Sequence, residues 1–361
     1  MKKLIGRIKG LKKTTKVDFA TYLGVILAFV LFTVLRDRGL LNRSITGMLV
    51  PICAYIVMAV SLNLTVGILG ELSLGHAGFM SVGAFSGVIA AQSLQAAVPS
   101  APARLAIAIL VGAVFAAVAG TIVGVPVLRL RGDYLAIVTL AFGEIIKELI
   151  TCLLVGWDSR GLHMAFNLNG SLTINDIGME PGGMAIIKGA QGATGTETIA
   201  SFTAGFILIM ITLVIVLNLV RSRAGRAIMA LRDNRIAAES VGINVTKYKM
   251  MAFVTSAALA GAAGALYGLN YSNLTASKFS FDTSILVLVY VVLGGLGNMW
   301  GSIIAAAVLY FLPEALREFK DYRMLVYAVV LILVMLATND SRIKALAGRI
   351  LPKRKGAKDN G

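Results

Sequence analysis

The chain has 361 residues, of which 57% are hydrophobic and 14% charged, and its mean hydropathy is +0.83. A chain this apolar cannot cover itself with polar surface, which excludes an ordinary soluble protein and indicates that most of its exterior faces lipid. The net charge is +16, but the lysines and arginines lie at both ends and between apolar runs, which is typical of cytoplasmic membrane loops rather than of a nucleic-acid surface.

The apolar runs predict about ten membrane-spanning helices in an all-α integral membrane protein. The first run follows a basic segment and is too long for the core of a signal peptide, so we interpret it as an uncleaved span. A later run is broken at Gly294–Asn298 and is too long for one helix, so we divide it into two short spans. The predicted spans cover residues 17–35, 45–69, 75–94, 103–128, 134–155, 199–220, 249–270, two spans within 284–312, and 322–338.

The distribution of basic residues predicts that both termini are cytoplasmic. This gives a basic cytoplasmic tail over 1–16, a transmembrane domain over 17–338 and a second basic cytoplasmic tail over 339–361. Ten spans place the segment 221–248 inside and the loop 156–198 outside. Arg36, Arg38 and Arg43 fit this topology poorly, and spans 2 and 3 forming a re-entrant pair is the alternative.

Small residues recur four apart in several spans, a spacing that lets helix backbones approach closely in lipid. The seventh span is the extreme case and is expected to be buried in a tight bundle. The pairs are Gly83/Gly87, Gly120/Gly124, Gly264/Gly268 and Gly297/Gly301.

The cytoplasmic segment 221–248 contains a predicted amphipathic helix from about Arg226 to Val241, which Gly242 ends. Its apolar residues Ile228, Leu231, Ala238 and Val241 recur at helical spacing. From the pattern alone, a helix in the lipid headgroups and a helix that docks on a protein partner remain equally open.

Four segments resemble the permeases of ABC importers for branched-chain amino acids, most closely the M-type subunit of the permease pair. They are residues 61–79, residues 129–140, the cytoplasmic stretch 225–243 and the glycine-rich turn 294–301. The family usually has glutamine where Glu71 stands. The outer loop 156–198 lacks the compact Thr-Gly-Gly segment of the family.

The resemblance implies a type II-like permease bundle in the bacterial inner membrane, with no catalytic residue, metal or cofactor of its own. The implied partners are a sister permease, two cytoplasmic ATPases that bind ATP, and an extracytoplasmic substrate-binding protein. The implied solutes are leucine, isoleucine and valine, with urea or short amides as the alternative. The residues assigned to coupling with the ATPase are Gly225, Arg226, Leu231, Arg232, Asp233, Asn234, Arg235, Ala238, Glu239 and Gly242.

Polar residues in the spans are the candidates for a translocation pathway. Glu144, Lys147 and Glu148 share one helix face near the middle of the fifth span, and charges at that depth normally face protein or a water-filled cavity. A local ion pair that anchors the helix is the alternative interpretation. The pathway candidates are Asn63, Thr65, Glu71, Ser73, His76, Thr139, Glu144 and Glu148.

The rival function is a secondary transporter driven by an ion gradient, which would require essential buried carboxylates such as Glu144 and Glu148. A membrane enzyme lacks any nucleophile with an activating base, and a structural scaffold leaves the family segments unexplained. No phosphate-binding loop occurs in the sequence, so ATP would have to bind another chain.

Overall fold

The computed structural model describes residues 13–128, 133–167, 172, 174–179, 183–317, 322 and 325–332. The chain forms two compact units, residues 1–307 and 308–361. The helices are α1 (Lys13–Asp37), α2 (Arg43–Asn63), α3 (His76–Ser93), α4 (Ala101–Val127), α5 (Asp133–Thr151), α6 (Phe202–Arg221), α7 (Arg223–Asp233), α8 (Arg235–Ser240), α9 (Val245–Gly268), α10 (Phe281–Gly294) and α11 (Met299–Ala315). A π-helix, Leu64–Leu69, continues α2 without interruption.

Five helical segments of the described residues are long and apolar enough to cross a membrane. They are Arg43–Leu69, Ala101–Val127, Phe202–Arg221, Val245–Gly268 and Ala276–Gly294, and Met299–Ala315 is apolar but shorter. The 27 residues of Arg43–Leu69 are enough for a full span. The second unit contributes a short helix at residues 325–332, inside the predicted span 322–338. The proposed tail 339–361 lies outside the described residues.

The core of the first unit is built from α2, α3, α4 and α9, with α9 packed against the other three. Glycine makes this packing possible, because backbones touch where side chains would separate them. A Cβ atom on Gly83 would overlap the backbone of Gly261, and one on Gly264 would overlap the carbonyl oxygen of Met80. The packing role predicted for these glycines is confirmed. Gly297 differs, because it lies in a turn with φ of +80°.

The protein is mostly helical, but the all-α part of the prediction is corrected, because residues 153–194 and 273–274 form a five-stranded antiparallel sheet. The strands are β1 (Leu153–Asp158), β2 (Gly161–Phe166), β3 (Met184–Lys188), β4 (Ala193–Thr194) and β5 (Asn273–Leu274), in the order β2-β1-β3-β4-β5. The β1–β2 turn is fixed by Asp158, whose carboxylate accepts the backbone N–H groups of Arg160 and Gly161. The fifth span therefore ends at Thr151 rather than at Val155.

Candidate functional site

The segment 221–248, predicted to be cytoplasmic, forms two helices, α7 and α8, and not the single helix predicted from Arg226 to Val241. Asn234 breaks the helix, with φ of −155° and ψ of 103°, and its side chain caps α8 by accepting the N–H of Ala237 at 3.0 Å. Ser222 caps α7 in the same way through the N–H of Gly225. Gly242 ends α8 with φ of +83°, as the sequence predicts.

The two helices bury one side and expose the other. Gly225, Ile228, Leu231 and Ala238 are buried against the bundle or against each other. Val241, predicted on the buried face, is 74% exposed, and Ile236 is 80% exposed. Arg235 and Glu239 form an exposed i,i+4 ion pair at 3.2 Å, and Arg226 donates to the carbonyl of Arg221. This exposed side is a mixed apolar and charged surface.

Arg232 contacts the transmembrane bundle. Its Nη1 donates to the carbonyl oxygen of Gly67 in the π-helix at 3.0 Å, and its other guanidinium nitrogens bind Asp233. The aliphatic part of Arg232 lies against Gly70, where an added Cβ would stand 2.5 Å from its Cγ. Gly70 has φ of +81°, so a side chain there would be strained as well as crowded.

Asn63 joins the π-helix to the turn between α10 and α11. Its side-chain oxygen accepts the N–H of Gly297 at 2.8 Å, and its Nδ2 donates to Ser302 Oγ at 2.9 Å. Asn63 is fully buried, and both ends of its amide are used within the protein. Its contacts favour the tertiary role of Asn63 over the solute-binding role that the sequence left open.

Glu71 and Lys249 form a buried ion pair at the same end of the bundle. Lys249 lies at the beginning of α9, and its side chain is 7% exposed, against 16% for that of Glu71. Lys249 is missing from the sequence-based candidates. Its position inside an apolar run, after the arginine-rich segment, is the signal by which it could have been found.

The remaining pathway candidates of this region are buried in the bundle. His76 Nε2 lies 2.8 Å from Ser61 Oγ, and Thr139 Oγ1 accepts the N–H of Leu74 at 3.1 Å. The hydroxyl groups of Thr65 and Ser73 are buried without a hydrogen-bond partner. Each of these four residues is at most 2% exposed, so none of them lines a cavity that solvent could enter.

Glu144, Lys147 and Glu148 lie in the second half of α5, which ends at Thr151. Lys147 binds both carboxylates, with 3.3 Å to Glu148. Glu144 also accepts the N–H of Phe281, the first residue of α10, at 3.0 Å. The anchoring interpretation therefore accounts for Glu144. Glu148 is 65% exposed at the side chain, and the pathway interpretation remains open for it.

Replacing Glu144 with leucine should loosen the beginning of α10. The substitution removes an ionised acceptor from a helix N-terminus and one of the two partners of Lys147, so we expect a loss of about 1–2 kcal/mol in the free energy of unfolding. Glutamine at the same position keeps an acceptor and should lose less. Equilibrium unfolding of the two variants in mixed micelles measures the difference, and equal losses would contradict the capping role.

No metal-binding group of three or more histidine, cysteine, aspartate or glutamate side chains occurs among the residues that the structure describes. The two cysteines are free. The arrangement is one of helix junctions and ion pairs, which can transmit movement and line a path.

Comparisons with known proteins agree with the segments singled out above. A family model described as branched-chain amino acid transport system / permease component matches residues 44–335. The high-affinity branched-chain amino acid transport system permease protein LivM of Escherichia coli (strain K12) is 34% identical over 292 residues, which is 78% of this chain and 66% of that protein. The chain thus spans slightly less than two thirds of that relative.

Two more distant relatives widen the picture. The probable branched-chain amino acid transport permease protein LivM of Methanocaldococcus jannaschii is 26% identical over 60% of this chain and 57% of its own length. The fructose import permease protein FruG of Bifidobacterium longum is 26% identical over 87% of this chain and 88% of its own. No solved structure matches the chain.

Proposed function

This multi-pass membrane protein belongs to the family of branched-chain amino acid transport permeases, and on that premise we propose that it is the membrane subunit of an ATP-driven importer for leucine, isoleucine and valine. It is a transport component and not an enzyme. The observation that carries the proposal is the family match over 44–335, which includes the helices α7 and α8 with their exposed side.

The proposed topology has about ten spans in a type II-like bundle, with both termini inside. Two sets of contacts support it. Arg232, Lys249 and Gly297 all contact the segment 63–71. The predicted cytoplasmic segments 70–74, 221–248 and 294–298 therefore lie at one end of the bundle, with Lys249 directly after the second of them. The sheet pairs β4 with β5, so the loops after α5 and after α9, both predicted outside, also lie together.

The proposed ATPase-binding surface is the exposed side of α7 and α8. Ile236 and Val241 expose large apolar side chains beside the Arg235–Glu239 pair. An apolar anchor with a polar rim is typical of a protein interface, and large apolar side chains are not stabilised by exposure to water. ATP would bind and be hydrolysed on the two partner ATPases, whose closure would push α7 and α8 and rock the bundle.

Two further partners belong to the proposal. A sister permease would complete the pathway. An extracytoplasmic binding protein would deliver the solute to the sheet, where Trp157, Leu162, Met164 and Phe166 expose apolar side chains. These four share one face of the β1–β2 hairpin, because Trp157 pairs with Leu162 and the exposed residues of β2 alternate.

We place Glu148 on the pathway side of α5. Its neighbours Ile145 and Leu149 are exposed on the same helix face. A carboxylate that faced lipid there would be costly, so this face suits a water-filled path or a protein partner. A carboxylate among branched apolar side chains also suits the ammonium group and side chain of a branched-chain amino acid.

Replacing Ile236 with glutamate should release the ATPases. The change puts a charge at the centre of the proposed interface, and we expect at least a tenfold loss of ATPase that co-purifies with the chain, about 1.4 kcal/mol or more. Leu40→Glu is the matched control, because Leu40 is 68% exposed in the loop between α1 and α2, which the topology places on the opposite side. Equal recovery of ATPase with both variants would contradict the docking surface.

The solute is tested by uptake of radiolabelled leucine in proteoliposomes that hold the whole complex. Competition by isoleucine and valine, with no competition by urea or fructose, supports the proposed substrate class. Uptake that survives ATP depletion and collapses with the ion gradient would establish the secondary transporter instead.

A further inference from the structure

We propose that Arg232 is a positioning residue that carries the movement of α7 into the bundle, through Gly67 and Asn63, to the turn between α10 and α11. The inference rests on the proposed function and names how the same coupling segment is connected to the pathway helices. Three observations along this path carry it.

The first observation is that Arg232 caps a transmembrane helix from outside that helix. Gly67 is among the last residues of the continuous helix Arg43–Leu69, whose final carbonyl groups have no partner within the helix. Thr65 O accepts the N–H groups of both Gly70 and Glu71, which closes the helix and leaves Gly67 O available for Arg232. A cation is favoured at the negative end of a helix dipole, so the guanidinium is held there by charge as well as by its hydrogen bond.

The second observation is that the helix end packs directly against the turn 295–298. A Cβ on Gly67 would overlap both Asn63 Oδ1 and the backbone nitrogen of Gly297. Asn63 then binds Gly297 N and Ser302 Oγ, on either side of the point where α11 begins. Direct backbone contact leaves no soft side chain to absorb a displacement.

The third observation concerns the turn itself. Gly295 and Gly297 both have positive φ, at +92° and +80°, so the chain reverses sharply between α10 and α11. Gly294 and Gly301 touch through their backbones across this reversal. The ends of the two helices therefore form one rigid corner, and a push on Gly297 reaches both.

The π-helix makes this junction suited to movement. π-helical turns are rare, and they occur mostly where helices carry function. Here the π-helical turn begins directly after Asn63 and contains Gly67, the residue that Arg232 contacts. Arg232 is therefore expected to affect how efficiently ATP hydrolysis drives transport more than how tightly the ATPase binds. The exposed side of α7 and α8 provides the proposed binding surface for the ATPase.

The test compares Arg232→Gln with Arg223→Gln in the complete complex. Both substitutions remove one positive charge from α7, but Arg223 has no described contact with the bundle. For Arg232→Gln we expect normal recovery of the ATPase. The amount of leucine transported per ATP hydrolysed should fall by about fivefold or more, which is the low end of the coupling energies found between two sites of a protein. Arg232→Lys, which keeps a charged donor, should recover part of the ratio.

Hydrogen exchange of the same complexes tests the connection without relying on transport. Arg232→Gln should increase exchange in residues 64–71 and in the turn 295–298, whereas Arg223→Gln should change neither. An unchanged ratio with unchanged exchange at the turn would overturn the proposal. Loss of the ATPase with Arg232→Gln would also overturn it. So would a proportional fall in the rates of ATP hydrolysis and leucine transport, because that result indicates only structural damage. If the wild type imports no leucine, the proposed function fails while the exchange data still decide the connection.

Discussion

Replacing Gly264 with leucine should prevent the chain from accumulating as a folded membrane protein. Gly264 lies in α9, where a Cβ would overlap the carbonyl oxygen of Met80 and stand 2.9 Å from the nitrogen of Ala84, both in α3. These obstacles are backbone atoms, which cannot rotate away, so α3 and α9 would have to separate. Separation would open the most extensive packing of the protein, that of α9 with α3 and α4. The cost should exceed the about 1–3 kcal/mol typical of overpacking in cores.

Gly47→Leu provides the matched control for this prediction. Gly47 is also a helical glycine in a membrane-crossing segment, but a Cβ there meets no atom within 4 Å. Both variants add the same apolar side chain, so membrane insertion by hydropathy should be equal. The measurement is the amount of monodisperse protein extracted from membranes, together with its midpoint of thermal unfolding. Similar yields and midpoints for the two variants would show that the α3–α9 contact is looser than the structure has it.

The helices were predictable because lipid imposes a simple requirement on sequence. A spanning helix needs about 20 apolar residues, and the runs around α2, α4, α6 and α9 satisfy it directly. The split at Gly294–Asn298 followed from the length of the apolar run and from its glycine-rich break, and it is confirmed by the ends of α10 and α11. Hydropathy failed after Thr151, because the apolar residues of β1 continue those of α5 and a short apolar run does not distinguish strand from helix.

The break between α7 and α8 was present in the sequence as Asn234. Asparagine is a strong N-cap, and here its side chain begins α8. The regular spacing of Ile228, Leu231, Ala238 and Val241 favoured a continuous helix over that local signal. The break leaves Val241 and Ile236 exposed, whereas Ala238 is buried.

The contacts of the site could not be derived from the sequence. Arg232 and Gly67 are 165 positions apart, and Asn63 and Gly297 are 234 apart, so only the folded bundle brings them together. A resemblance to a family identifies such segments together, but it does not show which of their atoms are in contact. This is why the sequence assigns Arg232 to the ATPase surface, whereas its guanidinium contacts a carbonyl group of the bundle.

Replacing Lys249 with methionine should strongly destabilise the end of the bundle that the proposed topology places in the cytoplasm. Lys249 binds Glu71 with side chains that are 7% and 16% exposed, so methionine would leave a carboxylate buried without its cation. Removing one partner of a buried ion pair typically costs about 3–5 kcal/mol. We expect a loss of this size in equilibrium unfolding, accompanied by faster hydrogen exchange in residues 70–76, the connection that holds Glu71.

A double variant separates the cost of an unpaired charge from the value of the pair. Lys249→Met combined with Glu71→Leu removes both charges from the same volume and should recover most of the stability, because buried pairs often contribute little relative to apolar residues. Glu71→Gln is expected to be mild, since an amide still accepts from Lys249, and glutamine is the residue that the family usually has there. If the double variant is as unstable as Lys249→Met alone, the lysine acts through its packing against α2 and α3, and the ion pair with Glu71 is incidental. Recovery would instead show that the pair fixes the 70–76 connection only while both charges are present. A movement that separates Glu71 from Lys249 must then expose both groups to water or give each of them a new partner.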